Sequence, residues 1–96
     1  MAKFILSPDA ENDLVEIWNY IAEDNIDAAD GLLGELETAM QRLTEMPGIG
    51  HSRTDLTPQQ VLFWPVRNIL IVYRHNSPLE IVRVLSGYRD IATLLN

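Results

Sequence analysis

Val61-Leu62-Phe63-Trp64-Pro65-Val66-Arg67-Asn68-Ile69-Leu70-Ile71-Val72-Tyr73-Arg74-His75-Asn76-Ser77-Pro78-Leu79-Glu80-Ile81-Val82-Arg83-Val84-Leu85-Ser86 is the stretch on which the fold turns. Three runs rich in aliphatic and aromatic residues alternate with two breaks. Val61–Val66 is closed by Arg67-Asn68, Ile69–His75 by Asn76-Ser77-Pro78, and Leu79–Ser86 follows. Short runs of this composition joined by tight turns read as three consecutive antiparallel strands. The three-residue second turn sets Arg74 opposite Glu80, an opposite-charge cross-strand pair that supports the register.

Upstream, residues 47–60 carry Pro47, Gly48, Gly50, Ser52, Thr54, Asp55, Thr57 and Pro58, and read as loop. Before them lie two helical patterns. Ala10, Leu14, Ile17, Trp18 and Ile21 fall on one face of a helix running from Pro8 to about Asp24, with Asn12, Asp13, Glu16, Asn19 and Glu23 largely on the other. Ser7 is its expected N-cap and Pro8 its first residue, where the missing N–H costs nothing. Asp9 and Glu11 lie at the positive end of the helix dipole. A second helix, capped by Asn25 or Asp27, carries Ala29, Leu32, Leu33, Leu36, Met40 and Leu43 at three- to four-residue spacing and stops before Pro47-Gly48. So short a link forces an antiparallel hairpin. Gly31 and Gly34 fit either a close contact with the first helix or a tolerated surface position. Residues 3–7 form a short first strand, and residues 87–96 a short helical tail. The expectation is a single α+β domain over residues 1–96, ordered β-α-α-β-β-β, with a helical hairpin packed on a small antiparallel sheet and a short C-terminal helical segment.

The chain has 96 residues, 47% apolar and 22% charged, which is globular composition. There is no cysteine, so the usual disulfide staple of a small secreted domain is absent. Residues 1–8 are too short and too weakly charged for a signal peptide. The apolar runs fall far short of the ~20 residues that cross a bilayer. A cytoplasmic protein with no membrane contact is expected. The net charge is −7, unevenly spread: residues 9–45 hold eleven acids and Arg42, whereas residues 46–96 hold three acids and five arginines. The first half therefore repels phosphate and is excluded as a nucleic-acid face.

Catalytic patterns are lacking. His51 and His75 stand apart with no metal-binding spacing, so no metal and no cofactor are expected. Ser52 beside His51 makes no triad, no GxSxG elbow occurs, and Gly48-Ile49-Gly50 lacks the lysine of a phosphate loop. Acidic pairs such as Asp27 and Asp30, or Glu35 and Glu37, read as solvated helix faces. Arg67, Arg74, Arg83 and Arg89 gather in the strands and tail near Trp64, Tyr73 and Tyr88. They fit either salt bridges to Glu80, Asp90 and the helix acids, or a partner-facing surface of the arginine-plus-aromatic kind. Trp18 and Tyr73 also suit core packing.

The order and content of several stretches resemble the ParE toxins of the RelE/ParE toxin–antitoxin superfamily. They are Leu6-Ser7-Pro8 with Ala10–Leu14, Ile17–Ala22, Asn25–Ala29, Leu43–Gly50, Leu70–Arg74 and Ile81–Asp90. The resemblance implies a toxin with no classical active site that blocks DNA gyrase, and the choice between gyrase and its relative topoisomerase IV stays open. It implies silencing by a ParD-like antitoxin whose ribbon-helix-helix part binds operator DNA, so that DNA contact comes only through the partner. Two other readings stand beside it. One is a RelE-like ribosome-dependent mRNA endonuclease, which needs several basic residues where this chain has one lysine, Lys3. The other is a non-toxic antitoxin-binding module. The expected partner-binding set is Trp64, Arg67, Tyr73, Arg74, Arg83, Tyr88 and Arg89. The antitoxin is expected on the sheet and the helix-hairpin groove, and the target on Gly87–Leu95 with Arg83. Alanine at both Arg83 and Arg89 is expected to abolish toxicity without unfolding the domain.

Overall fold

A computed structural model describes residues 3–86, 94 and 95. The elements are β1 (Phe4–Leu6), α1 (Pro8–Ala22), α2 (Ile26–Glu45), a 3-10 turn (Pro47–Ile49), β2 (Leu62–Val66), β3 (Ile69–Arg74) and β4 (Leu79–Ser86). This is the expected β-α-α-β-β-β order, with ends trimmed by a residue or two. Ser7 caps α1, its Oγ accepting from Ala10 N at 3.0 Å. Asn25, not Asp27, caps α2, its Oδ1 accepting from Ala28 N at 3.0 Å. Such caps contribute about 1 kcal/mol each. A Cβ added at Gly31 or Gly34 would meet nothing within 4 Å, so both are surface glycines. The hairpin is instead tied by Trp18, whose Nε1 donates to Asp30 Oδ1 at 2.9 Å.

The sheet order is β1-β4-β3-β2. The β2–β3 and β3–β4 pairs are antiparallel, and Arg74 faces Glu80 as the turn length requires. The wholly antiparallel expectation needs correction at one edge: β1 runs parallel to β4, with Leu6 opposite Ile81. A parallel pair needs a long crossover, and the helical hairpin with the following hairpin of strands supplies it.

Side-chain alternation divides the sheet's apolar residues between two faces. Ile69, Ile71, Tyr73, Leu79, Ile81 and Val84 pack with Ala10, Leu36, Met40 and Leu43 of the helices. Val61, Phe63, Val72 and Leu85 form a second, smaller cluster with Leu95 on the far face. Leu94 and Leu95 are helical; the remainder of the expected tail lies outside the described residues.

Candidate partner-binding site

The β4 edge organises the most distinctive chemistry. β1 is only three residues long, so it covers the start of β4 and then stops. Ser7 takes over: its N donates to Ile81 O at 3.0 Å and its Oγ donates to Val82 O at 2.7 Å. Asp13, on α1, comes next. Its Oδ2 accepts from Val84 N at 2.9 Å, and its two oxygens accept from Arg83 Nε at 2.8 Å and Nη2 at 2.9 Å. Side-chain exposure is 6% at Asp13 and 17% at Arg83. The Asp13 carboxylate, through these hydrogen bonds, raises the Arg83 pKa above its ordinary value; partial burial opposes this, while the charges of Asp13, Asp9 and Glu16 add to it. A forked, charge-assisted pair of this kind is strong and directional. Removing one partner would leave the other buried and uncompensated.

Beyond Val84 the helix leaves the edge, and an open groove of about 600 Å³ begins. Ile17, Tyr20, Ile21 and Leu32 of the helices wall it, Glu16 adds an acid beside the Asp13–Arg83 pair, and Ile69 and Val84, with the end of β4 at Leu85 and Ser86, complete the lining. Tyr20 is 78% exposed. An apolar trough with an acidic lip suits a partner segment carrying aliphatic anchors and a positive charge.

The expected partner-binding residues do not share one surface. Trp64 is half-buried on β2, stacked on His51 with ring centroids 6.4 Å apart. Arg67, in the β2–β3 turn at φ 56°, reaches α2, where its Nε donates to Glu35 Oε2 at 2.9 Å. Arg74 pairs with Glu80 at 3.3 Å. Tyr73 requires correction: it is 0% exposed and has no surface to offer a partner. Its hydroxyl donates to Pro47 O at 2.7 Å and accepts from Gly50 N at 2.9 Å, tying the loop after α2 to β3. Burial raises its pKa, with the Gly50 bond opposing. A Cβ at Gly50 would lie 2.7 Å from Tyr73 Cε1, so this close approach needs glycine. Arg83 is likewise committed within the fold through Asp13, so alanine there is expected to cost stability, against the expectation that the Arg83 and Arg89 double variant stays intact. Tyr88 and Arg89 lie outside the described residues. For Arg67, Arg74 and Arg83, salt bridging to Glu80 and the helix acids is what the geometry shows.

Two residues of this region have no part in the sequence-based set, Asp13 and Tyr20. Helical periodicity puts Asp13 largely on the polar face, yet it follows Ala10 by three residues and precedes Ile17 by four, which places it beside the buried stripe. An arginine between Val82 and Val84 is the matching signal. Tyr20 has no signal of its own, since a single exposed aromatic is ordinary. Among the described residues, no group of three or more histidine, aspartate or glutamate side chains is placed to hold a metal. No helix among them is long and apolar enough to cross a membrane.

A family model described as ParE toxin of type II toxin-antitoxin system, parDE, matches residues 4–91. Toxin ParE3 of Caulobacter vibrioides is 29% identical over 97 residues, covering 99% of this chain and 96% of that relative. The solved structure of the chromosomal ParDE toxin–antitoxin system from P. aeruginosa aligns with a TM-score of 0.72 at 17% identity, covering 90% of this chain and 96% of that one. At that identity the structural likeness speaks for the fold, and it agrees with the element order found here. With the family match spanning both helices and the whole sheet, this chain belongs to the ParE toxins of type II toxin–antitoxin systems.

Proposed function

We propose that this toxin acts in the cytoplasm by binding DNA gyrase, with no catalytic step of its own, and that a ParD-like ribbon-helix-helix antitoxin silences it. The observation that carries this reading is the family match over residues 4–91. The antitoxin segment docks in the trough between α1, α2 and the open end of β4, where Ile17, Tyr20, Ile21 and Leu32 accept aliphatic anchors. Operator DNA is reached only through the antitoxin, because the acidic helices repel phosphate. The arginines also favour protein binding over RNA cleavage: Arg53, Arg67, Arg74 and Arg83 are each bridged to a carboxylate. An RNA grip needs basic side chains left free for phosphate.

The test is a supercoiling assay with purified gyrase, ATP, relaxed plasmid and the toxin, with and without antitoxin. Inhibition accompanied by cleaved plasmid and relieved by antitoxin is the expected result. No effect at high micromolar toxin overturns the gyrase reading. A parallel decatenation assay shows whether topoisomerase IV is the target. Loss of message with intact supercoiling would mark an endonuclease instead.

A further inference from the structure

We propose that the far face of the sheet is a binding site for a short aliphatic peptide segment, filled here in cis by the chain's own Leu94 and Leu95. This site lies across the sheet from the helices, and the inference does not depend on the gyrase reading.

Leu95 is 7% exposed and packs with Val61, Phe63, Val72 and Leu85. Its hold on the sheet is not only apolar. The consecutive carbonyls of Leu94 and Leu95 are each gripped by a side chain: Arg83 Nη1 donates to Leu94 O at 3.4 Å, and Gln59 Nε2 donates to Leu95 O.

Each donor is set from behind, Arg83 by a carboxylate and Gln59 by an arginine that a carboxylate holds in turn. Asp13 fixes Arg83 through two bonds, leaving Nη1 to point at the peptide. Arg74 stands between Glu80 Oε1, 3.3 Å away, and Gln59 Oε1, 3.5 Å away. With its oxygen turned to Arg74, the Gln59 amide presents its NH₂ to the Leu95 carbonyl. Two arginines, each backed by an acid, thus organise adjacent grips on adjacent main-chain carbonyls.

Main-chain carbonyls are the same in every peptide. The grips therefore recognise a backbone, and the apolar hollow over Phe63, Val72 and Leu85 selects the side chain. Backbone hydrogen bonding for affinity with a hollow for specificity is the logic of peptide-binding domains. Nothing in these contacts requires the peptide to be covalently attached. Its local concentration in cis is what keeps a competing segment out.

The test uses the full chain with Leu95→Ser, which empties the hollow, and a fluorescent peptide of residues 90–96, Asp-Ile-Ala-Thr-Leu-Leu-Asn. By fluorescence anisotropy the variant is expected to bind this peptide at least tenfold more tightly than the unmodified chain. Serine in place of both peptide leucines should abolish binding. Adding Gln59→Ala should weaken it at least threefold. A folded Leu95→Ser chain that binds no more tightly than the unmodified one, or binds the serine peptide equally, overturns the proposal.

Should thermal melting show that Leu95→Ser does not fold, the unmodified chain is titrated with millimolar peptide and followed by amide NMR. Shifts at Val61, Phe63 and Val72 with none at Ile17 or Leu32 are expected. No shifts, or shifts confined to the groove between α1 and β4, overturn it.

Discussion

The two faces of the sheet are made by the same strands, yet they are held differently. The helix face is closed by twenty residues of α2 and fifteen of α1, and it holds a fully buried polar tie, the Val84 amide on Asp13. Asp13 receives Arg83 and the Val84 amide, and Tyr73 is anchored between Pro47 and Gly50. The far face is covered by loop residues such as Leu56 and by Leu94 and Leu95, and its ties run to main-chain carbonyls. Burying polar groups far from water makes each tie costly to break, because the abandoned partner has no water to turn to. The helix face therefore sets the stability of the fold.

Substitutions can break this contrast in graded steps. The largest loss is expected from Asp13→Ala, which strands Arg83 and the Val84 amide; about 3–5 kcal/mol is the typical cost of orphaning one member of a buried pair. Urea unfolding measures it, and replacing Arg83 with methionine in the same chain should recover part of the loss. Tyr73→Phe comes next, at about 1–3 kcal/mol for two part-buried groups left unpaired. This tyrosine also carries a pH signature. Burial raises its pKa by favouring the neutral phenol. Its contribution is thus fully present below the free tyrosine value of about 10 and is lost as pH rises through the higher folded value. The Tyr73→Phe variant should show a flatter stability profile above about pH 10. Ser7→Ala should cost about 1–2 kcal/mol, losing a helix cap and the hydroxyl bond to Val82 O together. Tyr20→Ala should change stability by less than about 0.5 kcal/mol, since surface substitutions usually do. In a calorimetric titration it should nevertheless weaken antitoxin binding at least tenfold. Unchanged affinity would remove the α1–β4 groove as the docking site.

Much of this architecture is legible in the linear chain. Apolar periodicity marks both helices, Ser7 marks the start of the first and Asn25 or Asp27 that of the second, and the breaks at residues 67–68 and 76–78 divide the strands. These are local signals, set by backbone sterics and by hydrogen bonds a few residues long. The pairing of Arg74 with Glu80 is legible for the same reason, since a turn of known length fixes who stands opposite whom. The candidate site is less legible. Which acid an arginine meets is decided across the tertiary fold: Asp13 and Arg83 are seventy residues apart in the chain.

Sequence alone determined the element order, the cap of α1, the acidic first half and the resemblance that the family match bears out. Tertiary structure alone decided that β1 runs parallel to β4 and stops early, so that Ser7 and Asp13 must complete the edge. It also decided that Tyr73 is an internal tie and that the far face takes Leu95. Local propensity acts over a few residues, whereas the fate of a polar group is settled by whichever distant segment excludes water from it.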